Sequence, residues 1–162
     1  MRPIVLTLLG ALPLCGAGLR AGVARIEITP REPIWMAGYA SRDHASTGVR
    51  QPLWARALAI DDGSRERTVI VATDLIGLPA ALADQVAARA ESQFGIQRAH
   101  LILNSSHTHT GPVVWPGLAA TFTPPDGEEA KLRDYSAHLA DSLVAAIGKA
   151  TRAASRGLRR EP

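Results

Sequence analysis

Two histidines one residue apart stand in the run Asn104-Ser105-Ser106-His107-Thr108-His109-Thr110-Gly111-Pro112. In extended backbone, side chains two apart project to the same side, so the rings of His107 and His109 can converge on one point. Neutral imidazole is a good Zn²⁺ ligand at about 2.0–2.1 Å, and the pattern therefore points to a metal site. Two imidazoles do not complete a coordination sphere, so further donors are needed. Asp74 is a candidate: it closes the apolar run that ends in Thr73-Asp74-Leu75. A carboxylate there can ligate a metal, orient a ligating histidine through its second ring nitrogen, or cap a helix beginning near Gly77-Leu78-Pro79. His44 and His138 read as surface residues, and His100 reads as structural, inside a strand.

The elements that must position these groups follow from hydrophobic periodicity. Val69-Ile70-Val71-Ala72 is a β-branched run of the kind covered on both faces, which predicts a central strand over 68–73. Residues 53–60 are also apolar, and the polar stretch 61–67 between the two predicts an antiparallel pair. From Pro79 to Phe94 the apolar positions Leu82, Val86, Ala90 and Phe94 recur every four residues, with Gly95 as a C-terminal stop, which predicts a helix. A second buried-type strand follows over 99–103. Residues 68–103 thus read as strand, helix, strand, a unit that makes its two strands parallel. Asp74 and His107 then fall on the same edge, where open α/β sheets hold their sites.

Val23–Ile28 alternates apolar and polar residues before Thr29-Pro30 and reads as a short first strand. Residues 30–52 lack any period but carry Trp35, Met36, Tyr39, Arg42 and His44, as expected of a substrate-side loop. Residues 113–127 read as another loop, and Glu128–Ala154 as a long amphipathic helix facing the sheet. The fold class is α/β: a mixed sheet with a parallel strand-helix-strand unit and helices packed on it. A strand would be expected after the long helix; the chain ends instead in Arg-rich polar residues 155–162, so the pattern reads as the opening part of a larger α/β domain.

Length and composition fit a single globular domain: 162 residues, 46% hydrophobic and 20% charged. Six of the 18 basic residues (Arg2, Arg20, Arg152, Arg156, Arg159 and Arg160) lie near the ends, against one of the 15 acidic ones, Glu161. The body is near neutral, which argues against a nucleic-acid partner. Residues 1–21 read as an export signal, with Arg2, an apolar run from Ile4 to Cys15 and then small residues; the run is short for a bilayer span. A buried first strand or helix is the alternative. The expected location is secreted or periplasmic. The one cysteine, Cys15, would leave with the signal, which excludes thiolate catalysis and cysteine-ligated zinc in the mature domain of residues 22–154. No Gly-x-Ser-x-Gly elbow and no phosphate-binding glycine loop are found. The Asp-His that follows the pair in metallo-β-lactamases is missing, and at least three strands precede the pair, unlike in barrel amidohydrolases.

Five blocks in order carry a more specific resemblance: Gly22-Val23-Ala24-Arg25-Ile26-Glu27-Ile28-Thr29-Pro30, Met36-Ala37-Gly38-Tyr39, Leu53-Trp54-Ala55-Arg56-Ala57, Ala72-Thr73-Asp74-Leu75 and Ser106-His107-Thr108-His109-Thr110-Gly111-Pro112. Together they resemble the neutral/alkaline non-lysosomal ceramidase family over residues 22 to about 115. The resemblance implies a secreted or membrane-associated zinc amidohydrolase that cleaves N-acylsphingosine into fatty acid and sphingosine. It implies a ceramide-like lipid amide as substrate, Zn²⁺ as cofactor and peripheral contact with membranes. His107 matches the family's first zinc ligand, and His109 the histidine at the substrate's reacting centre; Asp74 is carried beside them as a catalytic candidate. The family's later histidine, glutamate and tyrosine ligands and its catalytic serine match nothing here. The resemblance thus implies either a piece of a longer enzyme or a site completed by a second chain. A non-catalytic binding module that keeps the sheet edge is the alternative function.

Overall fold

The computed structural model describes residues 18–63, 66–117 and 123–156. Most of the expected signal segment, with Cys15, and most of the basic tail lie outside them. Strand β1 (Arg20–Glu27) is followed by β2 (Trp54–Asp61), β3 (Arg67–Thr73), helix α1 (Ala80–Phe94), strand β4 (Leu101–Ser105) and helix α2 (Glu128–Arg156). They form one four-stranded sheet in the order β1-β2-β3-β4. The first two pairings are antiparallel, and β3 and β4 are parallel across the α1 crossover. The α/β class, the antiparallel pair and the parallel unit expected from periodicity are all present.

Register explains how the layers fit. On the helix-facing side, Gly22, Ala59, Val69 and Leu101 are aligned across the four strands, and so are Ala24, Ala57, Val71 and Leu103. Small residues thus line β1 and β2, and larger ones β3 and β4. Helix α2 lies against β1 and β2, where small side chains let backbone approach backbone. A Cβ on Gly22 would stand 2.8 Å from the Ala153 carbonyl carbon and closer still to Ala154 N and Ala150 O. The helices meet through Phe94 and Gly148 and through an Arg89–Asp141 ion pair of 2.8 Å. Leu82, Val86 and Ala90 of α1 and Leu139, Leu143 and Ile147 of α2 close the core over the sheet.

Three expectations need correction. The β-branched run of β3 does not mean cover on both faces: Val69 and Val71 are buried, but Ile70 and Ala72 are half-buried. The reason is that both helices pack on one side. On the other side a row of Val23, Leu58, Ile70 and Ile102 crosses the sheet, with Val23 74% and Ile102 50% exposed. Second, His100 lies outside any strand. A 3-10 turn over Arg98–His100 links the αL glycine, Gly95 at φ 69°, to β4, and places His100 Nε2 3.5 Å from Glu66. Third, β1 begins earlier than the alternation suggests, at Arg20, which bonds Asp61 across the sheet at 3.2 Å.

Candidate functional site

The parallel pairing levels the carboxyl ends of β3 and β4. Val69 to Thr73 pair residue by residue with Leu101 to Ser105, and Ser106 N adds a bond to Thr73 O at 2.9 Å. The buried Thr73 hydroxyl is satisfied by Ser105 Oγ at 2.9 Å and Asn104 O at 3.2 Å. Asp74 and His107 therefore leave the sheet on one edge, as the topology predicts. No helix of the described residues is long and apolar enough to cross a membrane.

His107 does not continue the strand. Its φ is 60°, the one left-handed non-glycine residue among the described residues. That conformation is uncommon for a side-chain-bearing residue and carries a strain that surrounding contacts must offset. What offsets it is the ring: Nδ1 lies 2.9 Å from Ile76 O. A carbonyl only accepts, so Nδ1 carries a proton here, and in the neutral ring the lone pair belongs to Nε2. Second-nitrogen bonding of this kind fixes the tautomer of metal-binding histidines.

His109 lies close by. Its ring centroid is 5.2 Å from that of His107, with the planes at 61°. A left-handed turn, rather than strand alternation, makes the two rings neighbours. The His109 ring also meets Tyr39 edge-on, at 5.1 Å and 79°. Its backbone carbonyl accepts a 2.6 Å bond from Arg42 Nη2, and the Arg42 guanidinium lies 5.2 Å above the Tyr39 ring.

The Asp74 carboxylate is bonded to β2. Its Oδ1 bonds Arg56 Nη1 at 2.8 Å and its Oδ2 accepts from Trp54 N at 3.0 Å. Helix α1 is capped by Pro79 with no side-chain bond, so the capping alternative is not realised. Ile76 O holds His107 instead, a backbone partner that no residue-type pattern could flag. His44 is exposed and paired with Asp43 at 2.6 Å, and His138 is exposed on α2. Among the described residues no three or more His, Cys, Asp or Glu side chains are grouped to hold a metal ion.

The period-free stretch 30–52 does flank this edge. Met36 bridges Pro112, Ala37 N bonds Gly111 O at 2.9 Å, and Val113 N bonds Trp35 O at 3.0 Å. Ile34, Ala37, Val113 and Leu132 form a small second core beneath it. A cleft of about 630 Å³ opens between this loop and Thr110, lined by Pro33, Met36, Val49, Leu53 and Pro112 among others. A second of about 420 Å³ lies between residues 27–34 and α2, with His138 in its lining but neither His107 nor His109.

The family model for the N-terminal part of neutral/alkaline non-lysosomal ceramidases matches residues 19–159. A neutral ceramidase of Pseudomonas aeruginosa is 33% identical over 97 residues, which are 57% of this chain and 14% of that protein. One of Drosophila melanogaster is 29% identical over 105 residues, 61% of this chain and 15% of that one. The chain thus spans about a seventh of the length of the curated relatives it matches. A crystal structure of the Pseudomonas aeruginosa neutral ceramidase superposes with a TM-score of 0.67 at 24% identity, covering 83% of this chain and 22% of that one. A ceramidase complexed with C2 gives the same TM-score at 26% identity, covering 83% and 21%.

Proposed function

The chain belongs to the neutral/alkaline non-lysosomal ceramidase family, and from that premise we propose that it supplies the N-terminal part of a zinc-dependent amide hydrolase. The substrate is a ceramide-like lipid amide, cleaved to fatty acid and sphingosine. The observation that carries the zinc assignment is the His107 tautomer: Nδ1 is committed to Ile76 O, so Nε2 is free to ligate. A bound zinc ion supplies Lewis acidity and a water acidified toward neutral pH. The described residues provide one ligand, and the others come from beyond them or from a second chain. His109, next to His107, donates to the carbonyl oxygen as it gains negative charge, a contact that strengthens in the transition state. Asp74 supports this edge through β2 rather than touching substrate. The apolar cleft beside Thr110 suits the acyl chain, and a chain acting on such lipids works outside the cytoplasm at a membrane periphery.

Calorimetric zinc titration tests the ligand assignment. The parent chain should bind zinc weakly, well short of a closed four-ligand site; His107→Ala should abolish binding and His109→Ala should largely spare it. Equal losses would make the histidines joint ligands, and no binding by the parent would overturn the assignment. In an N-acylsphingosine hydrolysis assay the chain alone should show little turnover. Turnover that survives a strong chelator would refute zinc dependence.

A further inference from the structure

We propose that Tyr39 and Arg42 are positioning residues whose task is to hold the His109 ring in one orientation at the sheet edge. The proposal rests on the reading of His109 as a substrate-facing group. Three contacts converge on that residue from one short segment. Tyr39 packs its ring edge-on to the His109 ring, and Arg42 bonds the His109 carbonyl at 2.6 Å. Gly38, at φ 106°, brings bare backbone against the side chain: a Cβ there would lie 2.5 Å from His109 Cγ and 2.8 Å from its Cα.

The imidazole thereby contacts two rings, Tyr39 at 5.1 Å and His107 at 5.2 Å, both edge-on, so rotation of the His109 side chain disturbs both contacts. Arg42 ties the arrangement together, because the same guanidinium that bonds the His109 backbone covers Tyr39 at 5.2 Å. Tyr39 remains 57% exposed. Arg42 Nε is buried with no hydrogen-bond partner among the described residues, a cost that stable cores avoid and functional sites tolerate.

The test is NMR on the chain with labelled histidine and tyrosine. In the parent, a nuclear Overhauser contact should link the Tyr39 and His109 rings, and the His109 Cδ2–H relaxation should be that of a restrained group. Arg42→Ala removes no aromatic ring, so ring-current changes from a missing neighbour cannot mimic the effect. It should abolish the Tyr39–His109 contact and bring the His109 order parameter down to that of a flexible group, roughly below 0.6. Arg42→Lys should restore part of the contact, and His100 and His138 should not move. An unaltered His109 in Arg42→Ala would overturn the proposal. So would parallel changes at His100 and in the unfolding midpoint, which would make Arg42 a general structural residue. Zinc added to the same samples separates the two readings: if zinc perturbs no histidine signal, the metal assignment falls, while the Tyr39–His109 contact still decides the positioning role.

Discussion

Replacing Gly22 by alanine sets two opposed effects against each other. A strand glycine with no positive φ is a position where alanine ordinarily stabilises by about 0.4–1 kcal/mol, by restricting the unfolded chain. Here the added Cβ would stand 2.8 Å from the Ala153 carbonyl carbon, and nearer to Ala154 N and Ala150 O. The optimum for such pairs is about 3.5–4.0 Å, so the last turns of α2 must retreat by more than about 1 Å. All three obstacles are backbone and none can swing aside. Overpacking of this kind costs typically about 1–3 kcal/mol. Retreat also loosens α2 from β1 and β2, and a gap of about 0.5–1 Å forfeits a quarter to a half of each dispersion contact there. The collision outweighs the entropic gain, and the net expectation is a loss of about 2 kcal/mol. Urea unfolding followed by far-ultraviolet circular dichroism reads this directly. With a slope of about 1–3 kcal/mol per molar, the midpoint should fall by about 0.7–2 M at unchanged slope. Gly48→Ala serves as the control, since nothing lies within 4 Å of its added Cβ. A Gly22→Ala midpoint equal to or above the parent's would refute the close approach of α2 to β1.

Asp61 is buried and bonded by Gly63 N at 2.8 Å, Arg67 Nε at 2.9 Å and Arg20 Nη2 at 3.2 Å. The Gly63 amide first, then Arg67 and Arg20, hold its carboxyl below the ordinary 3.8 against the opposing effect of burial. The unfolded chain therefore binds this proton at higher pH than the folded one, so the contribution is complete above about pH 5 and declines as pH falls through and below the ordinary value. Asp61→Asn should cost about 1–2 kcal/mol at pH 7 and flatten the fall in stability between pH 5 and 3; an unchanged fall would exclude Asp61 as its source. Tyr135 donates to Ile28 O at 2.9 Å, and burial pushes its phenol well above the usual range. Tyr135→Phe should destabilise by about 1 kcal/mol, and spectrophotometric titration should show one tyrosine that ionises only on alkaline unfolding. Val71 is fully buried on the helix side, whereas Val23 lies on the open face. Val71→Ala should cost about 1–3 kcal/mol and Val23→Thr less than about 0.5 kcal/mol, and comparable losses in urea would contradict the one-sided packing.

Much of the framework is legible in the residue order alone. The β-branched runs, the fourfold spacing from Leu82 to Phe94 and the stop at Gly95 are local signals, set by how each residue's own backbone and side chain behave. Short-range rules also imply the parallel β3–β4 pair, because a strand, helix and strand of this length closes in one hand. The edge that carries Asp74, His107 and His109 follows from that topology. Which side of the sheet is covered does not follow, since Val69-Ile70-Val71-Ala72 reads the same whether one face is packed or two. Placement of the groups at the edge is likewise decided in three dimensions. Asp74 finds Arg56 and Trp54 N across β2, and the Nδ1 of His107 finds the carbonyl of Ile76. Residue types do not encode such partners, because every residue has a carbonyl and only the register brings one of them within reach. Tyr39 and Arg42 stand in a stretch marked by its aromatic and charged content, but their bearing on His109 depends on contacts between segments far apart in the chain. Local periodicity determines which elements form and on which edge their ends emerge; the left-handed turn at His107 and the packing of the 34–42 segment against 109–113, both products of long-range closure, decide how the two imidazoles face each other.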